Sequence, residues 1–400
     1  MPGKATVITG MRRAGKTWFC YQDIQQKLAE GIDKNRLLYL NFEDKRLLPF
    51  TAMDWQWIPE LFFNKTPGLR DQPCYWYLDE VQRLEGWELF VRRMLDTEQI
   101  HLCVTGSSSR LLSTEIATTL RDRSLTQEIF PYSFAEVLTR RHPEIRSPYR
   151  WGAGSRAAAQ HTLEEYRRIG GFPEVQDTTP DLRRQVLRSY VDVVILRDVI
   201  ERIGGSNVVA LRALIRSLLS ACATRFSVNR FYNALRSQGI SCSKDDLYAY
   251  LRQLQDAYLI FLAPIYSRSE AVKRVNPGKV YVIDPGLIEA LAPPITEDHG
   301  AALENMVYLR IRQAGLEPAY YVTEKGYEVD FIVIRDDHSR ELVQVCWNMD
   351  EASTRERELR GLHAAMTELN LTTATIVTWM EERDTENGVR IVPAWKWLLE

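Results

Sequence analysis

The sequence predicts an α/β protein whose first domain is a parallel sheet wrapped by helices, followed by a helical region and a second, smaller α/β domain. Three observations predict it. Short, fully apolar runs alternate with helical stretches at the start of the chain, that alternation stops near residue 150, and mixed strand and helix signals return after residue 300. Apolar runs without polar alternation are the mark of strands buried on both faces, as in a parallel sheet covered by helices.

The strand candidates of the first part are Ala5–Thr9, Leu37–Leu40, Tyr75–Leu78, His101–Thr105 and Leu125–Phe130. A helix is expected from Lys16 to about Glu30, closed by Gly31. Residues 160–260 read as largely helical, broken at Gly170-Gly171-Phe172-Pro173 and Gly204-Gly205-Ser206. Within them, Val208–Ala221, Ser227–Ser237 and Ser243–Ala257 form three helices, with polar caps at Ser227 and Ser243. Two strand-like runs follow, Tyr258–Pro264 and Lys279–Ile283, joined by a basic loop holding Arg268, Lys273 and Arg274. Three helices and a basic ribbon make a winged helix-turn-helix pattern. A helix over Ala302–Ala314 and strands at Ala319–Val322, Glu328–Ile334, Glu341–Cys346 and Thr373–Thr378 complete the chain. The expected domains are 1–140, a lid-like helical extension at 141–207, the winged helix at 208–290, and an α/β domain at 291–400.

The chain has 400 residues, more than one hydrophobic core usually organises, since cores stop growing near roughly 250–300 residues. No apolar run reaches the ~18 residues a membrane helix needs. The six cysteines stand singly, which argues against a zinc site or a disulfide framework and fits a reducing cytoplasm. Net charge is −2, so there is no global attraction for nucleic acid. The charge is unevenly spread, however. Residues 201–280 carry 12 Lys+Arg against 5 Asp+Glu, and residues 301–400 carry 11 against 18. The middle of the chain suits a phosphate backbone and the end repels one.

Gly10-Met-Arg-Arg-Ala-Gly15-Lys16-Thr17 fits G-x-x-x-x-G-K-[ST] and lies between an expected strand and an expected helix. In such a loop the glycines let backbone N–H groups face phosphates, and the helix N-terminus adds positive potential. Lys16 is placed to reach the β- and γ-phosphates of ATP, and Thr17 to offer its hydroxyl to Mg²⁺. Gly10, Arg12, Arg13, Ala14, Gly15 and Trp18 complete the candidate nucleotide-binding residues. Tyr75-Trp76-Tyr77-Leu78-Asp79-Glu80 is the partner strand. Asp79 is expected to hold the metal beside Thr17, and Glu80 to act as general base toward the attacking water. Thr105-Gly106-Ser107-Ser108-Ser109 ends the next strand, and Ser107 is a candidate to orient that water or sense the γ-phosphate.

In Ile8–Thr17, Tyr77-Leu-Asp-Glu-Val-Gln82, Val104-Thr-Gly-Ser-Ser-Ser109 and Phe130-Pro-Tyr-Ser-Phe-Ala-Glu136, and more weakly in Gly170-Gly-Phe-Pro173, Arg197-Asp198 and Tyr327-Glu-Val-Asp-Phe331, the sequence resembles bacterial and archaeal AAA-type P-loop ATPases. The C-terminal half of that group is a winged-helix and nuclease-like region. The resemblance implies a homo-oligomeric ring, a hexamer, in which Arg123 reaches a neighbouring subunit's γ-phosphate as an arginine finger. Two departures stand out. Members carry a longer segment before the first strand, which begins here almost at Met1. They also read Gly where Asp122 precedes Arg123.

The end of the chain resembles the PD-(D/E)xK nuclease fold, in which a helix Glu, a strand Asp and a Glu-x-Lys bind Mg²⁺. Glu304 and Asp330 match the first two positions, and the third reads Gln344-Val345-Cys346. Gln344 offers a neutral oxygen and Cys346 cannot replace the lysine, so cleavage is not expected. In the winged helix, Ser243–Gln255 is the expected recognition helix. Lys244, Tyr248 and Arg252 on it, with Arg268, Lys273 and Arg274 of the wing, are the candidate DNA contacts. The reading is therefore an ATP-driven ring acting on DNA, with branched or recombining duplexes as candidate substrates. Its alternatives are a nucleotide-controlled switch that binds a protein partner through the C-terminal domain, and an ATP-powered, Mg²⁺-dependent nuclease resting on Glu304 and Asp330.

Overall fold

The computed structural model describes residues 3–47, 50–107, 120, 123–145, 152–201, 207–292 and 299–400. The expected break at Gly204-Gly205-Ser206, the hydroxyls of Ser108 and Ser109, and Arg121 with Asp122 lie outside those residues. The chain divides into two compact units, Met1–Phe130 with Asp256–Tyr258, and Pro131–Gln255 with Leu259–Glu400.

The first unit begins with β1 (Ala5–Thr9), α1 (Lys16–Ala29) and β2 (Leu37–Asn41), continues through α2 (Trp57–Lys65), β3 (Cys74–Asp79), α3 (Trp87–Thr97) and β4 (Ile100–Gly106), and ends with β5 (Ser124–Glu128). The five strands form one parallel sheet in the order β2-β3-β4-β1-β5. Ala5, Val7 and Ile8 on β1 and Trp76, Tyr77 and Leu78 on β3 are all buried, because helices cover both faces. Below one face lies an aromatic cluster: Trp55 stacks on Phe90 at 4.6 Å, and Phe62 meets Trp76 edge-on at 5.1 Å. Such rings each contribute on the order of 2 kcal/mol on burial. With every strand running the same way, all carboxyl ends share one edge, which is where an open α/β sheet binds its ligand.

The second unit opens with α4 (Phe134–Arg141), whose first turn is closed by reciprocal Ser133 and Glu136 bonds. α5 (Ala153–Ile169) follows, then α6 (Pro180–Val193), which runs on as a π-helical stretch over Val194–Ile200. Next come α7 (Val208–Ser220), α8 (Val228–Ser237) and α9 (Lys244–Asp256), then β6 (Ile260–Ala263) antiparallel to β7 (Lys279–Val282). The segment between the two strands is not a plain basic loop: it holds a short helix, α10 (Glu270–Val275), capped by Ser269. α11 (Pro285–Leu291) and α12 (Gly300–Gln313) lead into β8 (Ala319–Val322), β9 (Glu328–Ile334) and β10 (Arg340–Cys346). After α13 (Ala352–Leu369) come β11 (Ala374–Thr378), β12 (Arg383–Glu386) and β13 (Val389–Pro393). The second sheet is mixed, in the order β12-β13-β11-β10-β9-β8. The sequence reading did not single out α13, β12 or β13, although Leu362, Ala365, Met366 and Leu369 mark the buried stripe of α13.

The Gly170-Gly171 pair has a physical reason within this unit. Asp284, buried at the N-cap of α11, accepts from the Gly171 N–H at 2.5 Å and the Gly286 N–H at 2.8 Å. A Cβ on Gly170, whose φ is +78°, would lie 1.8 Å from the Asp284 carboxylate. Burial raises the Asp284 pKa to about 7, against the pull of the surrounding N–H groups.

Gly170→Ala is expected to destabilise the second unit by about 3 kcal/mol through the carboxylate clash and the left-handed backbone, read from the urea midpoint. Because the folded state favours protonated Asp284, its stabilising contribution is complete below the unfolded pKa of about 3.9 and is lost as pH rises through about 7. Between pH 5 and 8.5, the urea midpoint should fall more steeply for the native chain than for Asp284→Asn. Parallel slopes would rule this out.

Candidate nucleotide site

The loop between β1 and α1 lies at the carboxyl edge of the first sheet. Gly10 has φ +145°, and a Cβ there would sit 2.1 Å from the Ile129 carbonyl oxygen, so only glycine fits beside β5. Gly15, at φ +117°, is the N-cap of α1, and Arg13 between them also takes a left-handed backbone. The Ala14 N–H closes the curl on the Met11 carbonyl at 3.2 Å. Into this curl folds the buried side chain of Lys16, whose ammonium donates to the carbonyls of Gly10 and Met11, each at 3.1 Å, and lies 3.8 Å from the Glu80 carboxylate.

Thr17 and Asp79, 62 residues apart, meet directly, the Thr17 hydroxyl donating to Asp79 Oδ2 at 2.8 Å. The register of neighbouring strands supplies two further partners. On β2, Tyr39 donates its hydroxyl to the same oxygen at 2.8 Å. On β4, Thr105 donates to Asp79 Oδ1 and accepts from the Glu80 N–H at 3.0 Å. Burial, with the bonds to Tyr21 and Asp79, raises the Tyr39 pKa, so its phenol stays a donor. Asp79 is thereby oriented at both oxygens in a fully buried position.

Glu80 turns out of β3 with φ +56° and ψ +44°, a conformation costing a non-glycine residue about 1–2 kcal/mol. Gln82 donates to its carboxylate and also to Ser107 Oγ at 3.4 Å. One amide therefore links the two residues that sequence reading placed around the attacking water. Tyr39 was missed there because it belongs to no contiguous motif, and Gln82, though it closes the Tyr77–Gln82 stretch, was given no role.

The residue types fit a magnesium nucleotide. A buried ammonium sits in a backbone cradle at a helix N-terminus, and one hydroxyl and one carboxylate lie side by side, leaving other positions for phosphate oxygens and water. At the rim, Arg12 pairs with Glu43 at 3.3 Å, and Glu43 pairs with Arg83 at 2.8 Å. Trp18 is 68% exposed on the outer side of α1, edge-on to Tyr21. Arg123 lies elsewhere. Its carbonyl accepts from the Ala5 N–H at the amino edge of the sheet, and its side chain pairs with Asp96 at the surface. The length of β1, roughly 16 Å at ~3.3 Å per residue, separates it from its own phosphate loop.

In the second unit, Lys244, Tyr248 and Arg252 are exposed on α9. Lys244 stands over the Tyr232 ring at 5.3 Å, with Arg236 at 5.9 Å. Arg268 and Arg274 are exposed, while Lys273 pairs with Glu270 within α10. Glu304 and Asp330 approach each other, but Lys279 stands between them. Gln344 points its amide oxygen at the Asp330 N–H, 3.1 Å away, and its nitrogen at Glu358. Among the described residues, no group of three His, Cys, Asp or Glu is arranged to hold a metal ion, and no helix is long and apolar enough to cross a membrane.

Residues 2–138 match the family described as an AAA domain. Residues 160–298 and 299–397 match two domains of unknown function, DUF8612 and DUF4143. An uncharacterized protein of Methanocaldococcus jannaschii is 34% identical over 100% of this chain and 89% of its own. One of Haemophilus influenzae is 26% identical over 98% of this chain and 94% of its own. Among solved structures, a Walker-type ATPase of Pyrococcus abyssi covers 72% of this chain and 90% of its own, at 13% identity and a TM-score of 0.46. Cdc6p of Pyrobaculum aerophilum covers 64% and 80%, at 14% identity and a TM-score of 0.27. With 34% identity to the Methanocaldococcus protein along the whole of this chain, and an AAA domain over the phosphate loop and its partner strand, the chain belongs to that family of AAA-type P-loop proteins.

Proposed function

We propose that the chain hydrolyses ATP, with Thr17 and Asp79 as the residues that would hold Mg²⁺. The meeting of Thr17, Asp79 and Lys16 at one sheet edge carries this reading. The metal would supply charge neutralisation on the phosphates. The chain's own residues do the rest. Loop N–H groups and Lys16 bind the β- and γ-phosphates. Tyr39 and Thr105 hold the Asp79 carboxylate still. Glu80 accepts a proton from the attacking water, and Gln82 keeps its carboxylate turned toward Ser107.

The proposed polymer is DNA, bound by a homo-oligomeric ring. The exposed cations of α8 and α9, grouped around Tyr232, support phosphate contact. Arg123, set at the far edge from its own phosphate loop, would serve only a neighbour's site.

Lys16→Ala should abolish ATP binding. Glu80→Gln should bind ATP but release phosphate at least about 100-fold more slowly, and an undiminished rate would remove Glu80 as the base. Tyr39→Phe should raise the Mg²⁺ concentration needed for half-maximal turnover while leaving magnesium-free nucleotide binding unchanged. Duplex and branched DNA should stimulate phosphate release in a salt-sensitive way. Lys244→Ala with Arg252→Ala should lower the salt slope of DNA binding by about 2 without touching basal turnover. Absence of both stimulation and binding would exclude DNA as the polymer.

A further inference from the structure

The second unit holds a carboxylate cluster that the ATPase reading does not use. Glu304 projects from α12, while Glu328 and Asp330 come from β9. At their centre is the ammonium of Lys279, the first residue of β7, with 4% of its side chain exposed. Lys279 Nζ lies 2.8 Å from Glu304 Oε1, 2.9 Å from Glu328 Oε1 and 2.9 Å from Asp330 Oδ1. An ammonium has three protons, and each has a carboxylate to meet. Other donors join them. Tyr281 donates to the same Glu304 Oε1 at 2.6 Å, the Val345 N–H donates to Asp330 Oδ2 at 3.0 Å, and Arg225 pairs with Glu328.

The distances are those of an ammonium in its hydrogen bonds. Carboxylate oxygens surround Mg²⁺ at about 2.0–2.1 Å and Ca²⁺ at about 2.3–2.6 Å, whereas here they stand at hydrogen-bond distance from nitrogen. Gln344, at the third position of the nuclease-like pattern, has both ends of its amide committed to Asp330 and Glu358, so it offers no oxygen to the centre. Burial opposes the charge on Lys279, but Asp330, Glu304 and Glu328 outweigh it and hold the ammonium above its ordinary range. The residues do not fit a resident divalent metal.

We propose that Lys279 is the built-in cation of this cluster, occupying the place of a divalent metal and turning Glu304, Glu328 and Asp330 into an ion-pair lock that joins β7, α12 and β9. The cluster then serves cohesion of the second unit and takes no part in metal-dependent phosphodiester cleavage.

The test is Mn²⁺ binding by electron paramagnetic resonance on the nucleotide-free, full-length chain, together with thermal unfolding. Native protein and Asp330→Asn should bind the same number of Mn²⁺ ions. Lys279→Met should bind one additional Mn²⁺ and lose it again when Asp330→Asn is added. Its lowered thermal midpoint should rise by about 2–4 °C with Mn²⁺. If Lys279→Met fails to fold alone, refolding on Mn²⁺ addition, seen by circular dichroism, supports the proposal equally. It is overturned if native protein binds a Mn²⁺ that Asp330→Asn removes. It is also overturned if Lys279→Met folds without gaining a metal, or stays unfolded in Mn²⁺.

Discussion

The hydrogen bond from Thr17 to Asp79 is the constraint around which the first unit is arranged. It joins two residues 62 apart in sequence, and no local preference brings them together. What does so is the parallel sheet, which delivers the carboxyl ends of β1 and β3 to one edge with β4 between them. That geometry also explains the burial pattern. A parallel sheet must be covered on both faces, so Trp76 and Tyr77, adjacent on one strand, face opposite sides and both lose all exposure. A site that demands fixed distances between loop, hydroxyl and carboxylate thus rests on a stiff layer of large apolar side chains.

Within the site, the polar groups limit one another's freedom. Asp79 is held through both oxygens by donors from α1, β2 and β4, and Glu80 is turned back by a left-handed residue that leaves its N–H on Thr105. The backbone strain at Glu80 is offset by that bond and by the Gln82 amide. Positions that the polypeptide would not adopt alone are therefore maintained by neighbours on one helix and two strands, so the constellation belongs to the sheet and its first helix together.

Much of this was legible in the sequence because it is written locally. The phosphate loop has fixed spacing, the inner strands β1, β3 and β4 are mostly apolar runs, and Asp79 and Glu80 end one of them. Tyr39 and Thr105 reach Asp79 only through strand register, which spacing along the chain does not encode. Lys279 is the harder case. Reading Glu304, Asp330 and Gln344 along their own segment exposes a missing lysine. The ammonium that meets the carboxylates comes from a strand that sequence reading assigned to a basic ribbon. The short helix α10 was hidden for another reason, since six residues carry too little periodicity to stand out from a loop.

Two lysines in this chain are buried to similar degrees, and their surroundings give them opposite characters. Lys16 rests on two neutral backbone carbonyls in the curl of the loop, with the Glu80 carboxylate at 3.8 Å. An arriving phosphate meets that ammonium in a loop already shaped before it arrives. Lys279 is surrounded by three carboxylates at hydrogen-bond distance, and nothing anionic from outside improves on them. A backbone cradle at a helix N-terminus marks a receptor, whereas a ring of carboxylates marks a strut. By that measure the chain has retained chemical appetite at its amino-terminal sheet edge and has satisfied it internally at the other.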